Sequence, residues 1–210
     1  MTNQWNSWTR NVVDKYKSWS TESIKEDLQQ TANPFAVCME HWQGDFNIGT
    51  LIRNANVFNA EKVFYLGKRR YDRRGCVGTH HYTSIDFVGD DVSALIALKN
   101  TYTFIAIDNN LNKTEKLSKF NWNKLEKPPL FFFGEEGLGL TPEVQNLCDY
   151  TIEIEQYGSV RSMNVGTCSG IVMYAYTTFL RNSTSQHIEG KARCDAFGSE
   201  QNGSYQLTLL

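Results

Sequence analysis

From Pro34 onward, short blocks of consecutive apolar residues recur along the chain, with stretches of helical spacing between them. The apolar blocks run Phe35 to Met39, Val63 to Leu66, Ile85 to Val88, Phe104 to Ile107, Leu130 to Phe133 and Tyr150 to Ile154. Blocks without polar alternation predict strands buried on both faces. Their separation by helices predicts an α/β fold: a mostly parallel sheet with helices on both faces. The helices are expected at Asn47 to Phe58, Asp91 to Lys99, Thr141 to Cys148 and Asn164 to Leu180. Thr141 is placed to cap the third of these, with Pro142 at its first helical position.

The two ends read differently. Trp5, Trp8, Trp19, Ile24 and Leu28 mix with Lys and Glu at irregular helical spacing. One or two amphipathic helices are expected there, packing on the domain or on a partner subunit. After Asn182 the chain is rich in Ser, Gln, Asn and Gly with little periodicity, which predicts a disordered tail or a weakly docked extension. The expected division is a helical extension over 1–33, an α/β domain over 34–181 and a polar tail over 182–210.

Composition narrows this picture. With 210 residues, 40% of them hydrophobic, the chain can bury one substantial core but not two ordinary domains. No run approaches the roughly 20 apolar residues of a membrane span, and Met1 to Arg10 is unlike a signal peptide, so a soluble cytoplasmic protein is expected. The five cysteines form no CxxC pair and have no cysteine–histidine spacing suited to zinc, so reduced structural thiols and no metal are expected. A net charge of -2 argues against coating nucleic acid through the overall field, so any nucleic-acid contact must be concentrated in a patch.

Three segments could carry chemistry. In Asn47-Ile48-Gly49-Thr50-Leu51-Ile52-Arg53-Asn54-Ala55-Asn56-Val57-Phe58, residues Leu51, Ala55 and Phe58 share one helix face and Arg53 lies off it. Taken alone, this segment reads as a solvated Arg53 and a helix cap at Asn47. In Phe131-Phe132-Phe133-Gly134-Glu135-Glu136-Gly137-Leu138-Gly139-Leu140-Thr141-Pro142, a buried strand runs into a glycine-rich turn. Open α/β sheets bind ligands at such strand ends, although the turn is neither a phosphate-binding lysine loop nor a full dinucleotide fingerprint. In the third segment Gly158, Arg161, Ser162, Met163 and Asn164 lead into the small residues Gly166, Thr167, Cys168, Ser169 and Gly170. A helix this small admits another backbone or a ligand very closely, and Ser162 or Asn164 can cap it.

In this order and at these separations, the three segments resemble the signature motifs of the SpoU/TrmH branch of the SPOUT RNA methyltransferases. The resemblance covers roughly 34–180. Its third motif looks especially like that of the tRNA guanosine-2′-O-methyltransferase members. Such membership implies a C-terminal deep trefoil knot, formed around Gly134 to Leu140 and Glu155 to Gly170, which is a rare exception to unknotted chains. It implies methylation of a ribose 2′-hydroxyl with S-adenosyl-L-methionine as cofactor, in a homodimer where Arg53 of one subunit can complete the other's site.

By the same resemblance, Arg53 is the essential arginine, Asn47 the motif-one asparagine, Glu136 the motif-two glutamate, and Ser162 and Asn164 the motif-three pair. Gly134, Ile154 and Met163 would contact the cofactor, together with Asp108 at the end of its strand. The departures are Glu135, where many members have asparagine or serine, and Met163, where leucine is usual. Arg53 would stabilise the developing alkoxide or grip the neighbouring phosphate. Ser162 and Asn164 would hold the ribose or the arginine, and Glu136 would fix the loop or pair with a cation.

RNA binding is expected at Lys68, Arg69, Arg70, Arg73 and Arg74, which surround Tyr71 and Asp72 just after a strand. His80, His81 and Tyr82 follow closely and suit surface or RNA-contact roles. A tRNA substrate is favoured over ribosomal RNA. The competing readings are a silent knotted RNA-binding protein and base methylation of the kind other SPOUT branches carry out; the retained motif residues count against both.

Overall fold

The computed structural model describes residues 10–41, 46–111 and 113–198, with side chains described as far as 183. Trp5 and Trp8 lie outside the described residues.

Each predicted apolar block is a strand. They are β1 (Asn33–His41), β2 (Ala60–Gly67), β3 (Ile85–Gly89), β4 (Thr103–Ile107), β6 (Pro129–Phe133) and β7 (Tyr150–Glu153). A two-residue strand that the pattern did not announce, β5 (Glu115–Lys116), pairs with β7. Both its residues are exposed, so it carries no apolar signal. All pairings are parallel, and the seven strands lie in the order β3-β2-β1-β6-β4-β7-β5.

Side-chain alternation along the central strands builds two cores. Phe35, Val37 and Met39 of β1, with Phe131 and Phe133 of β6, face the helices α2 (Asn47–Val57) and α4 (Val165–Gly198). Ala36, Cys38, Leu130 and Phe132 face Leu95 and the short helix α3 (Pro142–Leu147) on the other side. Both faces of the sheet are thus covered, which is why the strands read as unbroken apolar runs. Thr141 caps α3 through a bond from the Val144 amide, with Pro142 at the first position, as its sequence predicts.

Two helical expectations change. Residues 92–100 form 3₁₀ turns rather than an α-helix, started by Asp91, whose side chain accepts from the Ser93 amide. α4 does not end near Leu180 but runs on to Gly198 through the first half of the polar stretch. The N-terminal extension contributes α1 (Thr21–Gln30), capped by Ser20 and burying Ile24. It is tied to the domain through Asn59, which donates to the Leu28 carbonyl at 3.1 Å, and through Arg10, which donates to the Tyr82 hydroxyl at 3.1 Å.

Candidate functional site

Three loops meet beyond the carboxyl ends of β4, β6 and β7, enclosing a cavity of about 310 Å³. That is large enough for a nucleoside-sized ligand. Asp108 and Asn109 reach it from β4, Phe133 to Gly139 from β6, and Gln156 and Arg161 to Met163 from the segment after β7. Val165 and Cys168 of α4 close one wall. Burial pushes the Cys168 thiol up to about 11, so this wall is apolar and un-ionised at neutral pH.

The loop after β6 closes on its own backbone. Glu135 and Gly139 exchange hydrogen bonds at 3.1 and 2.9 Å, closing a tight loop in which Gly137 and Gly139 have positive φ. The chain passes so close to itself at Gly134 that an added Cβ would lie 2.1 Å from the Gly139 carbonyl carbon. The fully buried Glu40 at the end of β1 secures the far end of the loop: its carboxylate accepts from the Thr141 amide at 2.7 Å and the Thr141 hydroxyl at 2.6 Å.

Beside this loop, three residues expected from separate motifs come together. The Asn164 side-chain amide donates to Asn47 Oδ1 at 2.9 Å and to Glu136 Oε2 at 3.2 Å, while Asn47 donates to the same Glu136 oxygen at 2.8 Å. Asn164 Oδ1 also accepts from the Thr167 amide and so caps α4. Both amide hydrogens of Asn164 are therefore engaged, and the residue locks the β6 loop, α2 and α4 to one another. Asn47 and Asn164 thus share one carboxylate oxygen of Glu136 and bond to each other.

α2 and α4 approach closely because the small residues of α4 allow it. A Cβ at Gly166 would lie 2.8 Å from Thr50 Cγ2. In the space left, Asn54 donates to the Gly166 carbonyl at 2.8 Å and to the Ser169 hydroxyl at 2.9 Å. On the opposite side of α2, Gly49 meets Gly75 with the same intimacy, 2.9 Å from an added Cβ to the Gly75 Cα.

Of the expected cofactor contacts, Gly134, Asp108 and Met163 line the cavity, and so does Ser162. Ile154 does not. It is buried, and Asn109 engages its backbone in both directions, accepting from its N–H and donating to its carbonyl, each at 3.1 Å. Arg53 does not line the cavity of its own chain either; its side chain is exposed on the outer face of α2. Asn109, Gln156, Asn54 and Glu40 were not singled out by sequence. A polar residue just past an apolar run, within two positions of Ile107 and next to Met39, was the available signal for Asn109 and Glu40.

The expected RNA-contact residues divide. Arg69, Arg70 and Arg73 line a second, larger concavity, whereas Arg74 is paired with Asp72 at 2.5 Å and lies over the Phe46 ring. Lys68 is exposed outside that concavity. Among the described residues there is no cluster of three or more potential metal ligands and no helix long and apolar enough to cross a membrane.

Residues 34–174 match the model of the SpoU rRNA Methylase family. A tRNA (guanosine(18)-2′-O)-methyltransferase from Aquifex aeolicus is 25% identical over 157 residues, covering 72% of each chain. An uncharacterized tRNA/rRNA methyltransferase from Archaeoglobus fulgidus is 30% identical over 69% of this chain and 64% of its own. Among solved structures, the A. aeolicus TrmH/SpoU tRNA modifying enzyme superimposes with a TM-score of 0.65 at 19% identity, over 78% of this chain and 86% of that one. The SpoU methyltransferase AviRb from Streptomyces viridochromogenes, solved with AdoMet, gives 0.63 at 19% identity, over 72% of this chain and 62% of that one.

Proposed function

The chain belongs to the SpoU rRNA Methylase family, and from that premise we propose that it methylates a ribose 2′-hydroxyl of RNA, in the first place tRNA, using S-adenosylmethionine. The observation that carries this reading is the junction of Asn47, Glu136 and Asn164 at the mouth of the cavity. It unites the three segments that carry the motifs, and a mere RNA binder has no use for it.

The cavity suits the cofactor in size and in its mixed lining: an apolar wall from Phe133, Met163 and Val165, with polar groups from Asp108, Asn109 and Gln156. When bound, S-adenosylmethionine supplies a methyl group already activated on a sulfonium. The protein then has to align the hydroxyl and stabilise the charge left as its proton departs. Ser162, which lines the cavity, would hydrogen-bond the ribose. Arg53 carries a fixed cation and a planar fork suited to an alkoxide or an adjacent phosphate.

Arg53, exposed on the outer face of α2 and away from its own chain's cavity, would reach a cavity through a second copy. Around it, Phe46, Val57 and Tyr174 are 61%, 66% and 62% exposed, an apolar patch on α2 and α4 that a second copy would cover. The reading is therefore a homodimer with Arg53 acting across the interface. The knot, the cytoplasmic setting and the three-part division of the chain belong to the same proposal.

The test is transfer of labelled methyl from S-adenosylmethionine to tRNA and, separately, to ribosomal RNA, followed by nucleoside analysis. A 2′-O-methylated nucleoside is expected with the wild type and not with Arg53→Ala. Mixing Arg53→Ala with Ser162→Ala chains is expected to restore about a quarter of the activity, since half of the randomly assorted two-fold dimers hold one intact site. A stable monomer that methylates RNA would overturn the dimeric part.

A further inference from the structure

The larger concavity is about 1090 Å³ and lies towards the other edge of the sheet, against Tyr65 of β2 and Ile85 and Phe87 of β3. Its cations come from separate parts of the chain: Lys25 from α1, and Arg69, Arg70 and Arg73 from the loop after β2. His80 and His81 enter from the turn at 79–81. No aspartate or glutamate lines it, and among the described residues none of the four cations has an ion-pair partner. In a chain of net charge -2, this is concentrated, uncompensated positive charge in a concave surface, which focuses the field on an anion.

The aromatic lining says more about the anion. The rings of His80 and His81 lie 4.1 Å apart at 36°, with His81 exposed. Tyr71 and Tyr65 meet edge to face at 5.4 Å. His80 Nδ1 is buried without a hydrogen-bond partner, a group that a ligand donor or acceptor can satisfy. Cations that grip phosphates, interleaved with planar rings on which bases stack, are the means by which proteins hold unpaired RNA. The void is also too large for one small anion.

We infer that this groove is a second RNA-docking site, formed jointly by α1, the loop after β2 and the histidine turn, which grips a phosphate run and an unpaired base at a distance from the reacting ribose. The inference rests on the RNA-methylating reading and names where the substrate is held. It also gives the N-terminal extension a role, since Lys25 brings α1 into the groove. The site connects to the chemistry through α2, because residues 73–76 pack on that helix where Gly75 meets Gly49, two residues from Asn47.

The test uses the full chain and an unmodified tRNA transcript, with affinity followed by fluorescence anisotropy over a range of salt. The double variant Arg70→Ala/Arg73→Ala is expected to weaken tRNA binding at least tenfold and to reduce the slope of log affinity against log salt by about 2. S-Adenosylmethionine binding, measured by calorimetry, should not change. His81→Ala is expected to weaken binding of tRNA several-fold more than binding of a perfect RNA duplex. Unchanged affinity and salt slope in the double variant would overturn the inference. So would an equal loss against tRNA and polyglutamate, which would mark a general polyanion patch. If the wild type methylates no RNA yet binds tRNA through these arginines, the activity reading fails and the groove stands; methylation undiminished in the double variant gives the reverse.

Discussion

The two concavities of this molecule are built by opposite means. The cavity beyond β4, β6 and β7 is walled by backbone passing within contact distance of backbone, at Gly134 against Gly139, and is braced by Asn164, both of whose amide hydrogens are engaged. The basic groove is walled by long cationic side chains with no ion-pair partners among the described residues, mounted on 3₁₀ turns and a loop. A site that must align a hydroxyl with a methyl donor gains from rigidity. A site that must accept an irregular polyanion gains from reach and charge. Substitutions should therefore unfold the first region and leave the stability of the second almost untouched.

The sharpest way to break this comparison is Gly134→Ala. The added methyl would sit 2.1 Å from backbone that is itself pinned by the Glu135–Gly139 bonds, so no side-chain rotation relieves it. A loss of about 4 kcal/mol or more is expected in urea unfolding, or failure to fold. Stability close to wild type would mean that the loop is loosely held and the contrast false.

Gly166→Ala comes next. Its Cβ would meet the Thr50 side chain at 2.8 Å, and a small shift between α2 and α4 can relieve part of this. A cost of about 1–3 kcal/mol is expected by thermal unfolding. Methyl transfer should fall with it, because the same shift moves Asn164 relative to Asn47.

Asn164→Asp is nearly isosteric, so it probes the junction without opening space. It keeps an acceptor for the α4 cap but replaces two donated hydrogen bonds with a carboxylate facing Glu136. The expected loss is about 1–2 kcal/mol, with a larger fall in kcat than rise in KM. The sign with pH follows from the geometry: protonation restores a donor and removes the repulsion, so the deficit relative to wild type should shrink as pH falls and grow as it rises. A pH-independent deficit would show that the two carboxyl groups do not face one another.

Much of the fold was legible because its strands are buried on both faces, which leaves an unbroken apolar signature from Phe35 to Met39 and from Leu130 to Phe133. β5 was not legible, since its two exposed polar residues make a strand only through pairing with β7. The 3₁₀ turns at 92–100 were not legible either, because an apolar nonapeptide satisfies either winding and the packing against the sheet decides. At the site, the residue types of Asn47, Glu136 and Asn164 were identifiable within their motifs. Their bonding to one another was not, because it spans separations of 89 and 117 residues. Ile154 illustrates the converse. A residue beside the cavity by sequence proves to be a backbone anchor for Asn109, which is the one that lines it.

The groove supplies the smallest expected effect on stability. Arg70 and Arg73 are exposed, with no ion pair among the described residues, so removing both side chains leaves no buried partner unsatisfied. Arg70→Ala/Arg73→Ala should therefore change the unfolding free energy by no more than about 0.5 kcal/mol. It could even raise it slightly, since the cations of Arg69, Arg70 and Arg73 repel one another. Arg74→Ala serves as the control from the same loop: it releases Asp72, whose carboxyl the Arg74 guanidinium holds below the usual carboxylate range. An exposed pair of this kind contributes little, so that variant should also unfold near the wild type at neutral pH. A loss above about 2 kcal/mol in the double variant would mean that the arginines brace the loop against α2 rather than wait for phosphates, and the two concavities would then differ less than their walls suggest.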